Sequence, residues 1–368
     1  MPIRVLLVED SPVALTILKR IFDSTPDIEI VGTAHTGLDA LALIPKIHPD
    51  VICTDFHMPQ MNGLEFTSHV MTHFPLPILV ISASVQEDDT HRIFQLLEAG
   101  AVDILPKPKA GLDIENTLLK QALINKVRVL SGVKVFKKKR SSLSINQPLN
   151  KQSRQTASLL PGRCNPKIVV VGASTGGPLA LQEFLTHLPA DFPLPIICVQ
   201  HISLGFLQSL IDWLATSCQL PIQIAQAGER PKGGQVYFPS ERQHLELDRR
   251  GKFVHSLDPP LDGHRPSVTT TFISVAEFYG RKTIGVLLTG MGRDGAEGMK
   301  EIAHAGGMTI AQDEATCVVF GMPKEAIALG AADQVLPIQA IAPAVLKLVQ
   351  SHSADFGNSP LFYRYGSN

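Results

Sequence analysis

Short apolar runs, each ending at an acid, a hydroxyl or a glycine-rich corner and followed by a helical pattern, recur along the chain and restrict its architecture. The N-terminal part carries five: IRVLLV at 3–8, IEIVGTA at 28–34, DVICTD at 50–55, LPILVISA at 76–83 and AVDILPK at 101–107. Helical patterns such as LEFTSHVMTHF and DDTHRIFQLLEAG lie between them, and Ser11-Pro12 has the form of a helix cap with a first-turn proline. Strands joined by helical crossovers run parallel, and a parallel sheet needs helices on both faces. Right-handed crossovers are expected. The rhythm resumes at 166 with KIVVVGAS, PIICVQH and, later, KTIGVLLTG. An α/β fold class is therefore expected twice, the second time as a doubly wound parallel sheet.

Residues 128–165 break this rhythm. The stretch is basic, rich in Ser, Gln and Asn, and weakly periodic. Such composition reads as a flexible linker, with a basic partner-binding segment as the alternative. The expected division is 1–127, a linker at 128–165, a second domain at 166–350, and a disordered tail at 351–368. Within the second domain QVYFP, HLELD and FVHSL are expected to form short β-hairpins. The stretch ending in LKLV is expected to close in an amphipathic helix.

A chain of 368 residues suits two domains. Its formal net charge of −1 gives no general pull toward nucleic acid or membrane, and the second half has no helix-turn-helix pattern, so no nucleic-acid role is expected. Five cysteines without a CxxC pair argue against a disulfide framework or a zinc site. The N-terminus lacks the h-region of a signal peptide, and no run is long enough to cross a membrane. A cytoplasmic monomer without membrane insertion is expected.

In a parallel sheet, functional residues gather at the carboxyl ends of the strands. The first strand ends in Glu9-Asp10, the third in Asp55, the fourth in Ser82 and the fifth in Lys107. Crowded carboxylates call for a cation, and Mg²⁺ suits a few oxygen ligands. The motifs VEDS (8–11), TDFHMPQMNG (54–63), ISAS (81–84) and LPKP (105–108) resemble a two-component receiver domain of flavodoxin-like (βα)5 fold. The resemblance implies that Asp55 accepts a phosphoryl group from a histidine kinase. Glu9, Asp10, Asp55 and the backbone carbonyl of His57 would hold Mg²⁺, with Ser82 and Lys107 as switch residues. His57 and Asn62 stand where acids are frequent in receivers.

VVVGASTGGP (169–178) is a buried strand ending in a tight turn. GASTG satisfies GxSxG and places Ser174 at a helix N-terminus, where amides favour developing negative charge. A phosphate-cradling loop and a bare structural corner are the other readings. The glycine spacing is not G-x-G-x-x-G, and no acid ends the next strand to hold a ribose. His201 ends that next strand, within reach of Ser174. Asp294 lies in the turn after KTIGVLLTG; it is either the carboxylate that orients the imidazole or a cap for the helix that begins GAEG. The chain order Ser, His, Asp matches none of the common hydrolase orders.

VVVGASTGGP, VQH (199–201), GHRPSV (263–268), LLTGMGRDGAEG (287–298) and QDEATCVVFGMPKEA (312–326) resemble the catalytic domain of chemotaxis protein-glutamate methylesterases. The resemblance implies Ser174 as nucleophile, His201 as general base and Asp294 as its orienting group. The backbone N–H of Met291, with Thr175, would stabilise the oxyanion. It also implies hydrolysis of glutamate methyl esters on chemoreceptors, glutamine deamidation, no cofactor for the esterase step, and activation by phosphorylation of the receiver. A response regulator with an inactive, partner-binding output domain is the alternative. Departures from the family pattern fall at Ile202-Ser203, at 238–247 and at Thr269.

Overall fold

The computed structural model describes residues 1–82, 90–108, 114–133, 135 and 165–350. Most of the stretch expected as a linker, and the whole of the expected tail, lie outside the described residues.

The N-terminal unit runs β1 (Ile3–Val8), α1 (Pro12–Asp23), β2 (Ile28–Ala34), α2 (Gly37–Ile47), β3 (Val51–Thr54), α3 (Gly63–His73), β4 (Ile78–Ser82), α4 (Thr90–Ala99), β5 (Asp103–Pro106) and α5 (Ile114–Leu130). The strand order is β2-β1-β3-β4-β5 with every pair parallel, which is the flavodoxin-like order. The period of two decides what each strand buries. Val5 and Leu7 pack among the residues of α1 and α5, while Leu6 and Val8 pack among those of α2, α3 and α4. Helix α1 starts as its sequence dictates: the Ser11 hydroxyl accepts from the Ala14 amide at 3.4 Å and Pro12 opens the first turn.

The C-terminal unit runs β6 (Ile168–Ala173), α6 (Gly177–Thr186), β7 (Ile196–Gln200), α7 (Leu207–Ala215), β8 (Ile222–Ile224), β9 (Val236–Phe238), β10 (His244–Leu247), β11 (Phe253–Ser256), α8 (Val268–Tyr279), β12 (Thr283–Leu287), α9 (Ala296–His304), β13 (Met308–Gln312), α10 (Met322–Ala328), β14 (Gln334–Leu336) and α11 (Ile338–Gln350). Seven strands form one parallel sheet, β14-β13-β12-β6-β7-β9-β8. Helices α6, α7 and α11 cover one face; α8, α9 and α10 cover the other. The sheet is doubly wound, with its switch point between β6 and β12, where the sheet grows in opposite directions.

The hairpin expected from HLELD and FVHSL is present as the antiparallel pair β10–β11. QVYFP is not a hairpin arm. It supplies β9, fully buried and parallel between β7 and β8. Its apolar run is that of an internal strand, which local turn chemistry alone does not separate from a hairpin.

The two units share an apolar cluster. Phe94 of α4 stacks on Trp213 of α7, with ring centroids 5.2 Å apart and planes at 20°. The Trp213 indole N–H donates to the Glu98 carboxylate at 3.2 Å. Each fully buried aromatic of this kind is worth roughly 1.5–3 kcal/mol.

Candidate active site

The turn after β6 places Ser174. All of β6 is buried, so the chain must turn before it can regain solvent. It does so through Gly176, which has φ +76° and caps α6. A Cβ there would lie 2.6 Å from the Cβ of Val318, so both backbone and space require glycine. The buried Gln200 side chain, at the end of β7, donates to the carbonyls of Ser174 and His201, each at 2.8 Å. Gln200 thus ties the nucleophile turn to the next strand's turn. The motif VQH contains Gln200 without indicating this role; the available signal is a polar residue closing an otherwise apolar buried strand.

His201 donates from Nε2 to Oδ2 of Asp294 at 2.8 Å. Oδ2 also accepts from the Val268 amide at 2.8 Å. The other oxygen, Oδ1, accepts from the Ser267 hydroxyl at 2.8 Å and the Thr269 amide at 2.9 Å. Asp294 therefore caps a helix, but the helix is α8, not the α9 that follows it in sequence. The amides and dipole at the start of α8 favour the carboxylate. Burial acts to raise the Asp294 pKa; the His201 contact and the Thr269 and Val268 amides outweigh it and hold the group well below the usual carboxylate range. Thr269, one of the departures from the family pattern, also accepts from the Gly295 amide at 2.7 Å through its hydroxyl. Nδ1 of His201 is buried and has no hydrogen-bond partner among the described residues.

Ser174, His201 and His264 line one cavity of about 260 Å³. Ile202 and Ser203 lie in its wall, and Phe94, Asp103 and Lys126 of the N-terminal unit close its other side. Among the described residues no hydrogen bond joins Ser174 to His201; they meet through the cavity. Lys126 donates to the Thr175 hydroxyl at 3.1 Å and pairs with Asp103. Met291 follows Gly290, where a Cβ would stand 2.8 Å from that of Ser174. The Met291 loop is therefore pressed against the serine turn, with the Met291 side chain exposed.

On the rim of the first sheet, ligand atoms of Glu9, Asp10 and Asp55 all lie within 4.8 Å of one another. Lys107 Nζ bonds Glu9 at 2.8 Å and Asp55 at 2.7 Å. Burial first, then the charge of Asp55, raises the Glu9 pKa against the pull of Lys107. Glu9 Oε2 is buried without a partner among the described residues. An orphan carboxylate oxygen beside two further carboxylates is a donor set that fits a hard divalent cation such as Mg²⁺. Ser82 ends β4 beside this rim, and its carbonyl accepts from the Lys107 amide at 2.8 Å. His57 is exposed, two residues past Asp55.

Family models described as CheB methylesterase and response regulator receiver domain match residues 169–345 and 5–119. A protein-glutamate methylesterase/protein-glutamine glutaminase of Nitrosospira multiformis is 42% identical over 94% of this chain and 97% of its own. The chain belongs to the CheB methylesterase family. A second relative of that description, from Anaeromyxobacter dehalogenans, is 41% identical over 95% of this chain and 98% of its own. The crystal structure of the Thermotoga maritima CheB methylesterase catalytic domain is 43% identical, covering 50% of this chain and 98% of that one, with a TM-score of 0.48. The expected fold class, a receiver followed by a doubly wound α/β methylesterase domain, is the one observed. No described helix is long and apolar enough to cross a membrane.

Proposed function

We propose that this protein is a phosphorylation-activated protein-glutamate methylesterase, acting on chemoreceptors, that also deamidates glutamine side chains. The single observation that carries the reading is the His201–Asp294 hydrogen bond at the strand ends, beside the serine turn of β6. That geometry supports the roles of His201 and Asp294 beside Ser174.

Ser174 Oγ attacks the ester carbonyl. Because Nε2 of His201 is committed to Asp294, Nδ1 is the nitrogen that takes the serine proton. A positioned base of this kind is worth about 10²–10⁴-fold. Asp294, already ionised and held at the start of α8, fixes the tautomer and stabilises the imidazolium as it forms. The Met291 amide and Thr175 hold the oxyanion; one such donor contributes on the order of 3 kcal/mol. The imidazolium returns its proton to the departing methoxide, methanol leaves, and water, activated in turn by Nδ1, hydrolyses the acyl-enzyme to a glutamate carboxylate. A glutamine side chain gives the same acyl-enzyme with ammonia as leaving group. No cofactor enters these steps.

Asp55 is the phosphoryl acceptor, supplied by a chemotaxis histidine kinase. Glu9, Asp10, Asp55 and the His57 carbonyl would hold Mg²⁺, which supplies charge neutralisation for phosphoryl transfer. Lys107 pairs with the phosphoryl group once its bond to Asp55 Oδ2 is given up, and Ser82 hydrogen-bonds it; the Lys107–Asp55 contact supports this role. Phe94, Asp103 and Lys126 over the cavity support a receiver that restricts entry until phosphorylated. The proposed division is a receiver at 1–127, a linker at 128–165 and a catalytic domain at 166–350, in a cytoplasmic monomer.

A fluorophosphonate probe tests the chemistry without a receptor. An adduct on Ser174 that disappears in His201→Ala is expected. A chain whose serine never reacts, even with a phosphodonor present, would instead be a partner-binding output domain.

A further inference from the structure

GHRPSV contributes Ser267 and Val268 to the Asp294 cradle and one more residue, His264, to the cavity wall. The His264 ring lies flat on the His201 ring, with centroids 3.7 Å apart and planes at 5°. At that spacing the two faces are in van der Waals contact. The His264 backbone is pinned by a reciprocal pair of hydrogen bonds with Leu261, at 3.1 and 2.9 Å. The ring is therefore presented by a closed loop and not by a drifting side chain alone.

The contact completes what Asp294 leaves undone. One hydrogen bond at Nε2 holds an edge of the His201 ring but lets the ring swing about that bond. A flat neighbour on its face removes the swing. Charge matters as well. The groups around His264 are His201, Asp294 and Lys126, with Asp103 in the same cavity wall. Burial, and then the proximity of His201, pushes the His264 pKa down to about 4. Its ring is thus neutral at neutral pH, and a neutral π face beside a forming imidazolium is attractive.

We infer that His264 is a positioning residue for the esterase reaction: its ring clamps the plane of His201 so that Nδ1 meets the Ser174 hydroxyl, and its face supports the imidazolium formed on attack. The inference rests on the serine-esterase reading above.

The test uses the full chain with acetyl phosphate and Mg²⁺, and measures methanol release from membranes carrying methyl-labelled chemoreceptors. Wild type is compared with His264→Ala, His264→Gln and His264→Phe. Loss of the clamp should lower kcat by about tenfold or more in the Ala and Gln variants, the scale expected for a misplaced catalytic group, with KM little changed. Phe restores a flat face and should recover most of the rate. If Ala does not fold, Gln carries the comparison. Wild-type kcat in Ala and Gln overturns the inference. So does an effect confined to KM, or a Phe variant as slow as Ala, since then a ring nitrogen and not the ring face is needed. An inactive wild type would instead overturn the esterase reading itself.

Discussion

Lys126 reaches from α5 to the hydroxyl of Thr175, 3.1 Å away, and so ties the receiver to the residue beside Ser174. The same lysine is paired with Asp103, so the tether is held from both sides. Lys126→Ala should raise methanol release by the unphosphorylated chain about two- to tenfold, the range of one net hydrogen bond. The phosphodonor-treated chain should change much less. The ratio of the two rates checks this.

Gly176→Ala should destabilise the catalytic domain. The residue sits at φ +76°, and an added Cβ would meet Val318 at 2.6 Å. A strained backbone position of this kind costs about 1–3 kcal/mol. Denaturant unfolding should show a lower midpoint at unchanged slope.

Acid should find His264. Its pKa is pushed from 6.5 down to about 4. A depressed group contributes stability that is complete above the unfolded value and lost as pH falls toward the folded one, because the unfolded chain binds a proton that the folded chain refuses. The window is therefore pH 6.5 to 4, and the loss is on the order of 2–3 kcal/mol. His264→Phe has no such loss, so its Tm relative to wild type should climb steadily as pH is lowered from 7.5 to 4.5. Asp294 is also depressed, and its contribution drains only at more acid pH, below about 4.

Chelating divalent cations should separate the two chemistries. Phosphoryl incorporation at Asp55 should stop, because Lys107 alone would then offset the charge of Glu9, Asp10, Asp55 and the incoming phosphoryl group. Methanol release by the unphosphorylated chain should persist. Asp55→Asn should incorporate no phosphoryl label from acetyl phosphate and should show no stimulation by it.

Both sheets were legible because parallel strands carry long apolar runs and their chemistry sits at their ends. That logic placed Glu9, Asp55, Ser82 and Lys107 on one rim, and Ser174, His201 and Asp294 on another. What escaped were relationships set by distant segments. β9 reads locally as a hairpin arm because nothing in QVYFP reveals neighbours on both sides. Asp294 reads either as the carboxylate that orients the imidazole or as a cap for its own helix; the amides it accepts from belong to α8, 26 and 25 positions away. Gln200 and His264 lie in the motifs VQH and GHRPSV, but their contacts are with Ser174 and His201, remote in sequence, and the motifs do not say which residues they meet. The Lys126 tether joins two units, so neither unit's own pattern contains it.

The most direct test of the account is methanol release from methyl-labelled chemoreceptor membranes by wild type and Ser174→Ala, each with and without acetyl phosphate and Mg²⁺. Release by wild type alone, increased by the phosphodonor, is the predicted result. Equal release by the two proteins would contradict it, whatever the state of Asp55.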